Sequence, residues 1–262
     1  MDLELDGKTA VVTAASRGLG RAVAESLAKE GAKLAICARN DDVLSNTAEA
    51  IRKTYGVEVL DRTCDVTDPD QVESFKNDVV NTFGTVHVLF ANAGGPPAGS
   101  VDNVNISDFE EALQLNCMST IRLVYSFIPF MKAQKWGRII ASTSVTVKQP
   151  LTNLALSNVS RAGVIPFIKG IADEYGSMNI TANAIAPGYI MTDRVKNLLE
   201  GRMKKEGISF EEALQGIVSS IPAGRAGKPE EFGSLAAYLA SEKAGFINGT
   251  TILIDGGMYR GI

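Results

Sequence analysis

Short apolar runs alternate with longer amphipathic stretches from one end of the chain to the other. The runs fall at residues 9–13, 33–38, 57–64, 86–91, 138–142, 181–186 and 250–255. Runs this short and this continuously apolar fit strands covered on both faces. Between them, helical spacing marks residues 19–30, 42–55, 71–83, 109–134, 155–175 and 230–240. Alternation of strand and helix requires right-handed crossovers and a parallel sheet. The predicted class is therefore α/β: a doubly wound parallel sheet of about seven strands with helices on both faces. No Pro/Ser-rich linker interrupts the pattern, so a single domain is expected over residues 1–262.

The alternation fails once, between residues 190 and 229, where no strand is evident. Ser209-Phe-Glu-Glu212 is a capping-box signature that opens a short helix there. Pro222, Gly224 and Gly227 then break the stretch. A long insertion before the last crossover reads as a substrate lid; an oligomer contact or a plain surface excursion is the alternative.

Composition narrows the function. A charged fraction of 21% beside 45% hydrophobic residues is ordinary for a soluble protein. The net charge of -4, without a Lys/Arg run, argues against nucleic acid as a partner. The acidic N-terminus lacks a signal-peptide core, and no segment reaches membrane-spanning length, so a cytoplasmic protein with no membrane partner is expected. Cys37, Cys64 and Cys117 are odd in number and far apart, which suits buried free thiols. With His87 as the sole histidine, a His-based metal centre or a Ser-His-Asp triad is not expected.

The first strand runs into Thr13-Ala-Ala-Ser-Arg-Gly-Leu-Gly20 and then a helix. Gly18 and Gly20 allow close approach of backbone to a pyrophosphate, with Ser16 and Leu19 completing the turn, and the helix N-terminus offers free N–H groups. A glycine turn alone is weak evidence, but this one occupies the first βα turn of a βαβ series. Charge then bears on the choice of nucleotide. NAD sites place an acid after the second strand to hold the ribose 2′-OH. Here that position is Ala38, followed by Arg39, and Arg17 lies in the glycine turn. Two guanidinium groups suit a 2′-phosphate, so NADP(H) is favoured and NAD(H) remains possible.

The chain resembles the short-chain dehydrogenase/reductase family, a Rossmann-type fold, along its whole length. Thr13, Gly18 and Gly20 match the family's TGxxxGxG, with Ala14 in place of the first glycine. Asp65-Val66 matches the adenine-contact position, and Ala91-Asn92-Ala93-Gly94 resembles NNAG. Asn183-Ala-Ile-Ala-Pro187-Gly188, followed by Ile190 and Thr192, resembles the nicotinamide-side loop, and Asn248-Gly-Thr-Thr through Asp255-Gly-Gly257 resembles the last strand. The C-terminal third is similar to 3-oxoacyl-carrier-protein reductases. The Arg17/Arg39 pair also resembles that of NADP-preferring relatives.

The resemblance implies a catalytic Asn, Ser, Tyr and Lys. Asn116 matches the first and Ser144 the second. Thirteen residues beyond Ser144 the chain reads Leu156-Ser-Asn-Val-Ser-Arg-Ala-Gly163, so Ser157 stands at the Tyr position and Arg161 at the Lys position. Ser160 and Ala162-Gly163 match the family and fix the register. A serine hydroxyl is a poor acid, whereas a tyrosine near ~10 can be tuned to working pH. Arg161 retains charge and donors for the cofactor ribose but stays protonated. Lys148 and Tyr189 are the candidate replacement proton donors; an exposed amine and a packing residue are the alternatives. The expected activity is hydride transfer between NADP(H) and a small-molecule carbonyl or alcohol with an altered proton donor. The competing expectation is a catalytically impaired nucleotide-binding sensor or subunit. Family members pair through the two long helices at 109–134 and 155–175, which implies a homodimer or homotetramer. The stripe Val164, Phe167, Ile168 and Ile171 suits either such an interface or a core face.

Overall fold

Strand side chains alternate between two faces, and here both faces are apolar because both are covered. The computed structural model describes residues 1–261. Its strands are β1 Thr9–Thr13, β2 Lys33–Ala38, β3 Val59–Thr63, β4 Val88–Ala91, β5 Gly137–Ser142, β6 Ile180–Pro187 and β7 Thr251–Ile254. They form one parallel sheet in the order β3-β2-β1-β4-β5-β6-β7. This is the expected Rossmann-type, doubly wound arrangement of seven strands.

The helices are α1 Gly18–Lys29, α2 Asp41–Tyr55, α3 Pro69–Phe83, α4 Ile106–Leu113, α5 Ser119–Gln134, α6 Ala155–Ala162, α7 Val164–Tyr175, α8 Asp193–Glu206, α9 Phe210–Val218 and α10 Pro229–Ala240. Val12, Ile36 and Phe90 point to the face covered by α1, α2 and α10. Their neighbours Val11, Cys37 and Leu89 point to the face covered by α3, α5 and α7. On the first face α1 and α10 cross closely at Gly233, where a Cβ would stand 2.5 Å from the Ala22 carbonyl oxygen. The stripe on α7 resolves as a core face: Val164, Ile168 and Ile171 are buried against the sheet, with Phe167 at their edge.

Both long helices expected from the sequence are divided. The stretch 109–134 starts earlier, at Ile106, behind an Asn105/Asp108 capping box, and contains a single π-helical turn, Gln114–Met118. The stretch 155–175 breaks at Gly163. Pro166 lacks the N–H that a continuous helix would direct at Ala162, which accounts for the break.

In the insertion, the Ser209/Glu212 capping box opens α9 as expected. The longer α8 was not anticipated, although Val195, Leu199 and Met203 share one face at i, i+4 spacing. The two helices bury a small separate core with Tyr189 and Met191. The base of the insertion is closed by backbone bonds: Gly227 N–H donates to Tyr189 O at 2.9 Å and Met191 N–H to Gly227 O at 2.8 Å. Among the described residues, no helix is long and apolar enough to cross a membrane. His87 lies at the opposite end of the sheet from the C-terminal strand ends, where Nδ1 accepts the Thr9 N–H at 3.0 Å and burial lowers its pKa. No group of acids, thiols and imidazole suited to a metal occurs among the described residues.

Candidate active site

In an open parallel sheet, neighbouring crossovers diverge where the strand order reverses, and a crevice opens at the C-terminal strand ends. Here the reversal lies between β1 and β4. A cleft of about 1180 Å³ opens there, enough for a dinucleotide together with a small substrate. Thr13 ends β1 and binds the far lip: its Oγ1 donates to Asn92 O at 2.6 Å and accepts the Asn92 N–H at 2.9 Å.

The glycine turn leads from Thr13 into α1. Ala14 takes φ 51, so this alanine adopts the left-handed conformation that suits glycine, at a cost of about 1 kcal/mol. Gly20 cannot carry a side chain, because its Cβ would stand 2.3 Å from the Ala14 carbonyl oxygen. Thr47 Oγ1 donates to Ser16 O at 2.9 Å and steadies the turn from α2. Asn40 and Asp68 cap α2 and α3 with side-chain oxygens. The first turn of α1 has neither a side-chain cap nor an acid, so its N–H groups face the cleft without a side-chain acceptor. Leu19 is half-buried against the core and anchors that end.

At the β1–β2 side of the cleft, Arg17 and Arg39 are both exposed, and neither enters an ion pair among the described residues. Ala38 is buried beside them. Asp65 and Val66 line the same end. Asp65 Oδ1 accepts from the Thr67 N–H and hydroxyl, and Arg122 donates to Val66 O at 2.9 Å. This donor set fits a phosphorylated adenosine ribose, with Ala38 in place of an acid after β2 that would repel the added phosphate.

At the β4–β5 side, Asn116 sits on the π-helical turn. Such a turn displaces one residue from the regular helical face and frees a carbonyl. Thr120 Oγ1 takes up Asn116 O at 2.8 Å. The Asn116 side chain donates to Gly94 O at 2.9 Å and accepts from Ser160 Oγ at 3.0 Å. One amide therefore ties the loop after β4 to α6. Ser144 follows β5; its Oγ accepts the Thr146 N–H at 3.2 Å, which leaves the hydroxyl proton to be donated elsewhere. Ser157 is buried and lines the cleft.

Arg161 lies one helical turn from Ser157 and is 8% exposed. Its Nη1 donates to Ser142 O at 3.2 Å and Thr143 O at 3.1 Å. Burial, then the charge of Arg194, lowers its pKa to about 10, so it remains a cation at neutral pH. Pro187, Gly188, Ile190 and Thr192 form the wall after β6, and Asn92, Ala93 and Gly94 the wall after β4.

The candidate proton donors separate. Tyr189 lines the cleft, and burial raises its phenol pKa while Arg202 opposes the shift. Lys148 does not line the cleft: it ends the short turn Val145–Val147 on the outer surface and is exposed. Lys148 is therefore the exposed amine given as the alternative, and its candidacy as proton donor is corrected: it caps that turn facing solvent and not the cleft. The charge that reaches Arg161 comes from Arg194, which sequence reasoning missed. Arg194 opens α8 and arches to the opposite wall, where it donates to Gly95 O and Pro96 O, each at 2.9 Å. Its guanidinium occupies the place of a Gly95 side chain, 2.3 Å from the ideal Cβ position.

A family model described as Enoyl-(Acyl carrier protein) reductase matches residues 13–259. The chain is 34% identical over 257 residues to the 3-oxoacyl-[acyl-carrier-protein] reductase FabG of Escherichia coli (strain K12), covering 98% of this chain and 99% of that one. It is 33% identical over 256 residues to the NADPH-dependent reductase BacG of Bacillus subtilis (strain 168), covering 97% and 99%. It also superimposes on L-sorbose reductase from Gluconobacter frateurii, solved with NADPH and L-sorbose. The TM-score is 0.96 at 32% identity, with both chains fully covered.

The contact of Gly20 with Ala14 yields the first prediction. Gly20→Ala forces the backbone of the turn apart and is expected to destabilise the protein by about 1–3 kcal/mol. Thermal unfolding with and without nucleotide checks it: the variant should melt lower and gain less from nucleotide. An unchanged melting temperature in both conditions refutes the close approach.

Proposed function

The chain belongs to the short-chain dehydrogenase/reductase family, and we propose that it is an NADP(H)-dependent oxidoreductase moving a hydride between the nucleotide and a carbonyl or alcohol, with an altered proton donor. The observation that carries the nucleotide choice is the unpaired Arg17/Arg39 couple beside Ala38, next to the uncapped start of α1. NAD(H) fits the same cradle without using that couple.

When bound, the nicotinamide supplies or accepts the hydride at the substrate carbon. The protein's residues do the rest. Ser144 donates a hydrogen bond from its free hydroxyl to the carbonyl oxygen and keeps its proton, and Asn116 fixes the loop after β4 against α6. Arg161 holds the nucleotide ribose and contributes positive charge. Ser157 cannot serve as an acid at neutral pH. Tyr189 is the one phenol lining the cleft among the described residues. A phenol with a raised pKa stays protonated through neutral pH, so it is loaded to give a proton to a developing alkoxide. In the reverse direction it must first be deprotonated, so oxidation is expected to rise with pH through the alkaline range while reduction stays level. Residues 190–229, hinged at Tyr189–Met191 and Gly227, act as the substrate lid.

Three outcomes are expected. Arg39→Ala weakens NADPH more than NADH, by about 1.5–3 kcal/mol for a lost charged bond, as read by calorimetric titration; equal weakening rejects the 2′-phosphate assignment. In steady-state assays against ketones and 3-oxoacyl thioesters, Ser157→Ala and Lys148→Met are mild, whereas Tyr189→Phe lowers kcat by about 10²–10⁴-fold. Severe loss in Ser157→Ala shows that Ser157 carries the step. A nucleotide-binding protein inert to the whole panel supports the sensor or subunit reading, which the loss of both family relay residues favours. Finally, Leu113, Met118, Tyr125 and Val159 are exposed apolar residues on the helices α4 to α6 and the π turn between them, with Tyr125 stacked on Phe167. Light scattering at micromolar concentration should show a dimer or tetramer that Tyr125→Glu dissociates; a wild-type monomer rejects assembly through these helices.

A further inference from the structure

Two substitutions at one place call for one cause. Position 157 is small and position 161 is a cation, one helical turn apart on the same wall of the cleft. A tyrosine at 157 would fill the space in front of position 161; serine leaves it open. Arg161 is more than nine-tenths buried, yet only its Nη1 has protein acceptors. Among the described residues its other guanidinium nitrogens have no protein partner, and no carboxylate pairs with it. The cleft's acids are Asp65, at the adenosine end with its Oδ1 taken by Thr67, and Asp193, which faces Lys196. Arg194 comes over the same end from α8 and likewise has no ion-pair partner among the described residues. Arg17 and Arg39 stand at the other end of the cleft, so they do not account for this second pair.

A buried cation without an acid is costly unless a ligand supplies the counter-charge. We infer that Ser157, Arg161 and Arg194 form an anion slot, and that the substrate is an oxo acid whose carboxylate enters this slot beside the carbonyl held by Ser144. The inference rests on the nucleotide-dependent reading above and names its substrate class. Ser157 contributes room and a hydroxyl, Arg161 a fixed charge at the floor, and Arg194 a second charge from the insertion. Arg194 would exchange its bonds to Gly95 O and Pro96 O for the carboxylate. The hydride chemistry is unchanged: the carbonyl carbon gains the hydride, its oxygen gains a proton, and the carboxylate stays intact.

The test uses direct binding to the full-length protein saturated with NADP⁺. Acetoacetate and pyruvate are titrated beside their methyl esters by calorimetry. Each acid is expected to bind roughly 10- to 100-fold more tightly than its ester, the worth of a charge-assisted bond. Arg194→Gln should remove most of that preference while leaving NADP⁺ affinity within about 2-fold, since it deletes a charge from the slot and not from the nucleotide cradle. Ser157→Tyr should abolish it by filling the slot, again with NADP⁺ still bound, which also shows the variant to be folded. Esters that bind as well as acids, or acids that do not bind the NADP⁺ complex, overturn the slot and leave the nucleotide reading intact. An Arg194→Gln variant that weakens NADP⁺ as much as the acids also overturns it, by assigning Arg194 to the nucleotide. Failure of NADP⁺ to bind the wild type is a separate result that overturns the nucleotide reading, and the slot with it.

Discussion

The exchange of hydrogen bonds between Thr13 and Asn92 joins the two strand ends between which the sheet reverses its order. The reversal sends crossovers away from each other and opens the crevice, so something must hold its lips in register. Threonine suits the task because one hydroxyl both donates and accepts, and β-branching holds it stiffly at a strand end. Everything that converges on the cleft hangs from these two lips. The glycine turn and α1 leave Thr13, while Gly94 leaves Asn92 and is tied in turn by Asn116 to α6. A chain of local bonds thus fixes the nucleotide cradle relative to Ser144, Ser157 and Arg161, without any of these residues being adjacent in sequence.

The parts of this arrangement that depend on backbone periodicity are legible in the sequence. Seven apolar runs became seven strands, and bounds moved by a residue or two at ends where pairing stops. The glycine turn, the Arg17/Arg39 couple and the substituted positions 157 and 161 could be read from order alone, because each belongs to a short segment of known local geometry. What could not be read depends on interactions across the chain. The π turn at Gln114–Met118 has no compositional mark, since Ser119 and Thr120 satisfy its carbonyls with side chains that would be unremarkable in any helix. Lys148 looked close to the site by sequence distance, yet a short turn redirected it to solvent. Arg194 looked like one more charged residue in a polar helix. Its role depends on Gly95, ninety-nine residues away, having no side chain where the guanidinium rests.

Replacing a Tyr/Lys pair by Ser/Arg changes the electrostatics of the wall as well as its shape. A lysine beside a tyrosine favours phenolate and so tunes the acid. An arginine is a fixed, delocalised cation that no physiological pH discharges, even with its pKa brought down to about 10 by burial and by Arg194. Such a residue cannot shuttle a proton, but it orients an anion with planar, directional donors. In the proposed reaction the acid–base work is separated from the charge, and the phenol that lines the cleft, Tyr189, stands at the base of the insertion and not on α6.

The cleft's charge distribution differs from that of the protein as a whole. The protein as a whole is acidic, at -4, yet four arginines line this one crevice, paired at its two ends, against Asp65 and Asp193. Arg17 and Arg39 are exposed to solvent, whereas Arg161 is buried and feels the like charge of Arg194, which helps to lower its pKa. Arg194 belongs to a helix whose apolar side packs with α9, Tyr189 and Met191 in a cluster separate from the two main cores. In the structure Arg194 is held to the opposite wall by its bonds to Gly95 O and Pro96 O, and an anion in the proposed slot would offset its repulsion with Arg161. On that proposal one ligand group would both neutralise the buried cation and bridge α6 to the insertion, and its binding would stabilise the fold by mass action.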